Sequence, residues 1–267
     1  LGISLLAFLA LIVAGCSENK LGAYLRLEGV ELMESIAGDK AYTKAVSDPR
    51  GMIVFAMSKD TQEIDIFKDG LKVNSIGGLG FERTNFQRLS DIGVDTDGGL
   101  LALDSARKLL RKFTPDGMYV SEISFSSLNQ PELFCVASDG NLFLYDAAPA
   151  EVICFSALDN TEMYRFGRFE LQTPVSIACN NDILYAYNPA QNLTYAFYLL
   201  GQYRETLDGQ AVFDMFNNPL TEAGIANATG SMRPGLMSVN SSTLTVLNNN
   251  LIQLFHLIHA RGNDETQ

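Results

Sequence analysis

Apolar positions in this chain fall into short runs separated by polar turns, and the same figure returns at a fixed interval. The stretch "DGGLLALDSARKLLRKF" (97–113) lies over "DGNLFLYDAAPAEVICF" (139–155) without a gap, and "NDILYAYNPAQNLTYAF" (181–197) follows in register. The polar turn residues Asp104, Asp146 and Asn188 are 42 residues apart, as are Phe113, Phe155 and Phe197 at the close of the next run. Upstream, "GMIVFAMSKDTQEIDIF" (51–67) puts Ser58 at the turn and Phe67 at the end. Downstream, "STLTVLNNNLIQLF" (242–255) repeats the design with a shorter hairpin and ends at Phe255. Asp, Asn, Ser and Gly sit where the chain must reverse, so each copy predicts a β-hairpin. A leading strand precedes each hairpin, as in "SDIGVD" and "ELFCVAS", and a fourth follows the Phe, as in "GMYVSEISF". Four short strands per ~42-residue unit predict an all-β protein, a β-propeller.

The repeat has a physical cause. A four-stranded sheet with two apolar faces cannot cover both alone, so successive units must stack, and the last must meet the first. Residues 22–45 precede the first copy and are long enough to lend a strand to the last; within them "EGVELMESIAG" (28–38) is the nearest approach to an amphipathic helix and reads equally as the strand that closes the ring. Five blades are visible, and a sixth is allowed if residues 22–45 and the tail complete another. An excess of 16 residues over one period separates Phe197 from Phe255, and falls within 207–235 as a long loop or a degenerate strand pair.

Composition narrows the function. The chain has 267 residues and a net charge of −12, which argues against nucleic acid, because phosphate neutralisation needs a basic face. The one basic cluster, Arg107, Lys108, Arg111 and Lys112, is interleaved with Leu109 and Leu110 and reads as a solvated strand edge.

Residues 1–15, "LGISLLAFLALIVAG", are uncharged and apolar but short for a membrane span, which fits the core of an export signal. "VAGC" (Val13–Cys16) resembles the bacterial lipobox. That resemblance implies removal of 1–15, lipidation of Cys16, a lipidated N-terminus and linker over 16–24, and a propeller over 25–267. Ser17 implies sorting to the outer membrane, on its periplasmic or surface face. Cys135, Cys154 and Cys179 lie in apolar β-like stretches without metal-ligand spacing and read as small buried hydrophobes. One disulfide among them is open, and the sequence does not choose its partners.

Copy two, "GGLGFERTNFQRLSDIGVDTDGGLLALDSARKLLRKFTPDG" (77–117), resembles the NHL repeat: a Gly-rich lead-in, an apolar strand, Asp-Gly, a strand ending in Asp-Ser, a strand ending in Phe, then a turn to Gly. The resemblance covers roughly residues 43–260; copies three and four lose the Gly lead-in. It implies the propeller fold, and it leaves function open among binding scaffolds, lactonases and lyases. A blade pattern shared with the eight-bladed outer-membrane assembly lipoprotein is a distant analogy, because this chain has no Trp and is too short for eight blades.

Lactonase-type propellers hold calcium in the channel, and Asn180, Asn181, Asn188, Asn240 and Asn248–Asn250 are the residues of suitable type. Most fall at predicted turns, where Asn is favoured for its backbone geometry. His256 and His259, three apart on a strand, point to opposite faces. "DTDGGLLALD" (95–104) opens like a calcium loop, but a twelve-residue loop counted from Asp95 needs an acid and a Glu where Gly99 and Ala106 stand. The next copies replace Asp95 with Ala137 and Cys179. The expectation is therefore an envelope lipoprotein held to the membrane through Cys16. Its propeller binds a protein, peptide or glycan without catalysis, cofactor or metal. A metal-dependent lactonase or hydrolase is the alternative.

Overall fold

The computed structural model describes residues 27–179, 182–208, 237–240, 243–248 and 250–259. All regular structure among them is β-strand, in five four-stranded antiparallel sheets arranged as a propeller. Blade one runs from the channel outward as β2 (Lys44–Ser47), β3 (Ile53–Ser58), β4 (Glu63–Lys68) and β5 (Leu71–Gly77). Blade two is β6 (Leu89–Val94), β7 (Leu100–Asp104), β8 (Leu109–Phe113) and β9 (Tyr119–Ser124). Blade three is β10 (Pro131–Val136), β11 (Leu142–Asp146), β12 (Glu151–Phe155) and β13 (Glu162–Phe166). Blade four is β14 (Ser176–Cys179), β15 (Ile183–Asn188), β16 (Leu193–Tyr198) and β17 (Tyr203–Asp208).

Blade five is composite. Its first three strands are β18 (Met237–Asn240), β19 (Thr243–Asn248) and β20 (Leu251–His259), and its outer strand is β1 (Leu27–Ala37) from the opposite end of the chain. Residues 27–37 thus complete the fifth blade rather than begin a sixth. The expected excess at 207–235 falls almost wholly outside the described residues.

Stacking buries what the repeat predicts. Four apolar clusters fill the interfaces of blades five and one, one and two, two and three, and three and four. Phe67, Phe113, Phe155 and Phe197 each enter the cluster shared with the preceding blade. Each is nearly or fully buried, which contributes roughly 2–3 kcal/mol per ring by apolar transfer.

The same rings mark an irregularity common to all five blades. Beside Phe67, Phe113, Phe155, Phe197 and Phe255 the third–fourth strand pairing slips by one residue. The slip leaves Val73, Val120, Met163, Arg204 and Met33 of the outer strands without a partner. Such a bulge bends its strand and raises the local twist.

One expectation is corrected here. Arg111 does not lie on a solvated edge; it is 1% exposed. Its strand, β8, is flanked by β7 and β9 and packed against neighbouring blades, so Leu110 and Arg111, on its two opposite faces, are both buried. The guanidinium is accommodated because it meets Asp104 at 3.8 Å and Glu122 at 3.5 Å, donates to the Asn85 carbonyl and lies over the Phe86 ring. A buried cation so paired is the form in which burial is tolerated.

Candidate binding face and channel

The Asp, Asn and Ser positions of the repeat serve architecture. At the end of β7, the Asp104 carboxylate accepts the amides of Gln87 (3.0 Å) and Arg88 (3.1 Å) from the connection that leads into the blade. At the end of β11, Asp146 accepts those of Asn129 (2.7 Å) and Gln130 (2.6 Å). Blade four inverts the polarity: Asn188 Nδ2 donates to the Gln172 carbonyl at 2.6 Å, while its Oδ1 accepts the Ala190 amide at 2.9 Å. The buried second strand is thereby stapled to the incoming loop in each of the three copies.

Asp95 turns the chain, as read. Its Oδ1 accepts the amides of Asp97 (3.0 Å) and Gly99 (2.6 Å), and Lys112 Nζ lies 2.5 Å from its Oδ2. Gly98 takes φ +83°, a left-handed conformation that suits glycine. Where Ala137 replaces Asp95, Asp139 accepts the Asn141 amide and the turn survives.

The inner strands are linked around the channel by contacts of differing chemistry. Ser238 Oγ donates to the Ala45 carbonyl at 2.8 Å, joining blades five and one. Lys44 Nζ lies 2.6 Å from Asp91, joining one and two. The other oxygen of Asp91 accepts the Phe134 amide at 3.0 Å, joining two and three. Between blades three and four, Cys135 and Cys179 lie on adjacent inner strands, β10 and β14, in one apolar cluster. Burial is the largest influence on the Cys135 thiol and pushes its pKa well up, with Cys179 adding to the rise. Burial likewise raises Cys154. Among the described residues, no group of three or more His, Cys, Asp or Glu side chains is placed to hold a metal ion. Of the Asn and His positions singled out in the sequence, Asn188 is a staple and Asn250 Nδ2 donates to the Gly38 carbonyl. His256 is exposed on β20. Asn180, Asn181 and Asn249 lie outside the described residues, as do the side chains of Asn240, Asn248 and His259. Cys16 and the signal-like segment also lie outside them.

A feature not foreseen from the sequence is a pair of exposed aromatic rings on pinned loops. Antiparallel neighbours place the second–third turns and the inter-blade connections at one end of the sheets. There, in the connection from blade one to two, Phe81 is 86% exposed and Leu79 76%. The loop beneath them is fixed: Asn85 Nδ2 donates to the Gly77 carbonyl, and Arg107 donates to Gly80 O at 2.7 Å. The Arg107 guanidinium also lies 5.6 Å from the Phe81 ring centroid. In the connection from blade three to four, Phe169 is 89% exposed. That loop is held by the Leu171 amide on Gly167 O, by the buried Leu171 side chain and by Asn188 on Gln172. Beside it opens a cleft of about 350 Å³ lined by Glu151, Arg165, Phe166, Arg168, Phe169 and Tyr203. Within it Arg165 is held by Glu162 (2.6 Å) and Glu151 (2.9 Å). An apolar ring within a polar inter-blade stretch was the available sequence signal.

No family model and no curated protein matches the chain. Solved structures do. The crystal structure of a nidogen/laminin complex aligns with a TM-score of 0.51 at 19% identity, covering 61% of this chain and 62% of that one. A structure of U3-55K aligns at a TM-score of 0.49 and 11% identity, covering 67% of this chain and 54% of that one. The crystal structure of RRP9 WD40 repeats gives 0.49 and 10%, with 67% and 53% covered. The chain thus spans about half the length of the latter two, and the likeness extends to the fold, a β-propeller.

Proposed function

We propose that this chain is a bacterial envelope lipoprotein whose propeller is a non-catalytic scaffold for a protein partner, engaged through Phe81, Phe169 and the cleft beside Phe169. The observation that carries the binding reading is the pair of rings, each more than four-fifths exposed on a loop fixed by part-buried hydrogen bonds. Rigid aromatic anchors flanked by arginine are the composition that concentrates binding energy at protein interfaces, because little side-chain entropy is lost on docking. A lipid tether is compatible with that face. Leu27 pairs with His259 at the end of the third strand, opposite the inter-blade connections. A linker of residues 17–26 extends to at most about 35 Å. An anchor at Cys16 therefore leads off the end of the propeller opposite the aromatic loops.

Two measurements on the full chain in a bacterial envelope test the two halves separately. Cys16→Ala is expected to move the protein from the membrane to the soluble fraction; continued membrane association overturns the lipid anchor. A photo-crosslinking residue at position 81 or 169 is expected to capture one and the same protein, while one at Lys72 on an outer strand does not. Equal capture from all three positions, or none, overturns the binding face.

A further inference from the structure

The structure selects one cysteine pair from the three thiols. Cys135, Phe143, Cys154 and Tyr164 form a single row across blade three, one residue per strand. Two strand spacings separate Cys135 from Cys154, about 9–10 Å. A disulfide needs Cα atoms within roughly 7 Å, so that pair is excluded while the sheet is intact. Cys179 is on the first strand of blade four, paired to Leu184, and that strand lies against β10, which carries Cys135. All three thiols belong to one apolar cluster, but Cys154 is on β12, the third strand of its blade, whereas β10, with Cys135, is the strand of blade three that packs along β14.

We propose that Cys135 and Cys179 are a disulfide-forming pair, closing a covalent stitch between the inner strands of blades three and four. The other inter-blade links described around the channel are hydrogen bonds or an ion pair; this one is oxidisable. The co-reactant is an external disulfide, either a small molecule such as oxidised glutathione or an oxidoreductase. Cys179 is half-buried and Cys135 buried, so Cys179 reacts first. Its thiolate attacks one sulfur of the donor, breaking the donor S–S bond and releasing one thiolate. The Cys135 thiol then gives up its proton and attacks the Cys179 sulfur, releasing the second donor thiol. Two protein thiols are oxidised and one donor disulfide is reduced. Burial that disfavours the Cys135 thiolate makes the second step the slow one. The bond would enclose residues 136–178 and restrict the unfolded chain.

The test is a mass map of the full-length protein equilibrated in glutathione buffers from reducing to oxidising, then alkylated and cleaved after glutamate. Glu132, Glu151, Glu162, Glu170 and Glu205 place the three cysteines on separate peptides, 133–151, 152–162 and 171–205. The expected result is a 133–151/171–205 pair joined with loss of two hydrogens, an alkylated 152–162 peptide, and the same pairing in Cys154→Ser. Melting temperature should fall by roughly 5–10 °C on reduction of wild type, and not in Cys179→Ser. Recovery of 133–151 and 171–205 as separate alkylated peptides at every poise, or either one joined to 152–162, overturns the assignment.

Discussion

Blade one and blade three each bury a carboxylate completely, and they satisfy it by opposite means. Asp146 of blade three accepts two backbone amides and nothing charged. Asp65 of blade one sits among side chains: Lys40 Nζ at 2.9 Å, Tyr42 OH and Ser75 Oγ at 2.7 Å, and Lys72 Nζ at 3.0 Å. The staple uses backbone groups of the incoming loop, which blades two, three and four all present. Among the described residues the cluster around Asp65 occurs once, because Lys40 and Tyr42 come from the link between the closing strand β1 and blade one. It fastens that link where the ring's two chain ends meet, whereas the staple fixes an ordinary loop.

The comparison is broken most severely by removing the acid from the cluster. Asp65→Ala leaves two lysines, a tyrosine and a serine without their common acceptor, and is expected to cost about 4 kcal/mol of unfolding free energy, read by chemical denaturation. Asp146→Ala orphans two amides and should cost about 2–3 kcal/mol by the same measurement. Equal losses would show that lysine charge adds nothing to the blade-one seat.

Acid sharpens the contrast at smaller amplitude. Burial tends to raise the Asp65 pKa, but hydrogen bonds from Ser75, Lys40, Tyr42 and Lys72 outweigh it and bring it to about 2. A carboxyl lower in the folded state than in the unfolded one stabilises fully above the unfolded value, near 4, and loses that contribution as pH falls towards 2. The loss across this window should be about 2 kcal/mol for wild type and absent from Asp65→Asn. Denaturation curves at stepped pH check it; parallel curves for the two proteins would rule the mechanism out. Lys40 moves in the complementary direction: burial lowers it, but Glu63 and Asp65 raise it overall, so it stays charged throughout.

The same contrast marks what could be read from residues alone. The staples were legible as turn residues 42 apart, because a repeat forces each blade to solve the same burial problem in the same way. The four strands of each blade and the Phe that closes each third strand followed from that periodicity too, whereas residues 28–38, which lie outside the repeat, read equally as a helix and as the closing strand. Arg111 was misread because alternating leucines and charges look alike on an exposed edge and on a third strand buried by blades on either side. Asp65 was passed over because its partners lie far away in sequence and recur in no other copy. Phe81 and Phe169 were overlooked because one phenylalanine in a loop carries no period.

The slip beside each repeated Phe has a consequence for how these molecules behave together. Every blade presents its outer strand to solvent, and a straight outer strand is a ready template for pairing with a neighbour's. A five-fold ring of such edges would invite polymerisation in all directions. Each edge is instead kinked at the residue opposite the ring, Met33, Val73, Val120, Met163 or Arg204, so no flat run of free amides and carbonyls spans it. One phenylalanine per blade thus accompanies two effects at once: it fills the interface with the preceding blade, and the bulge beside it keeps copies of the chain apart.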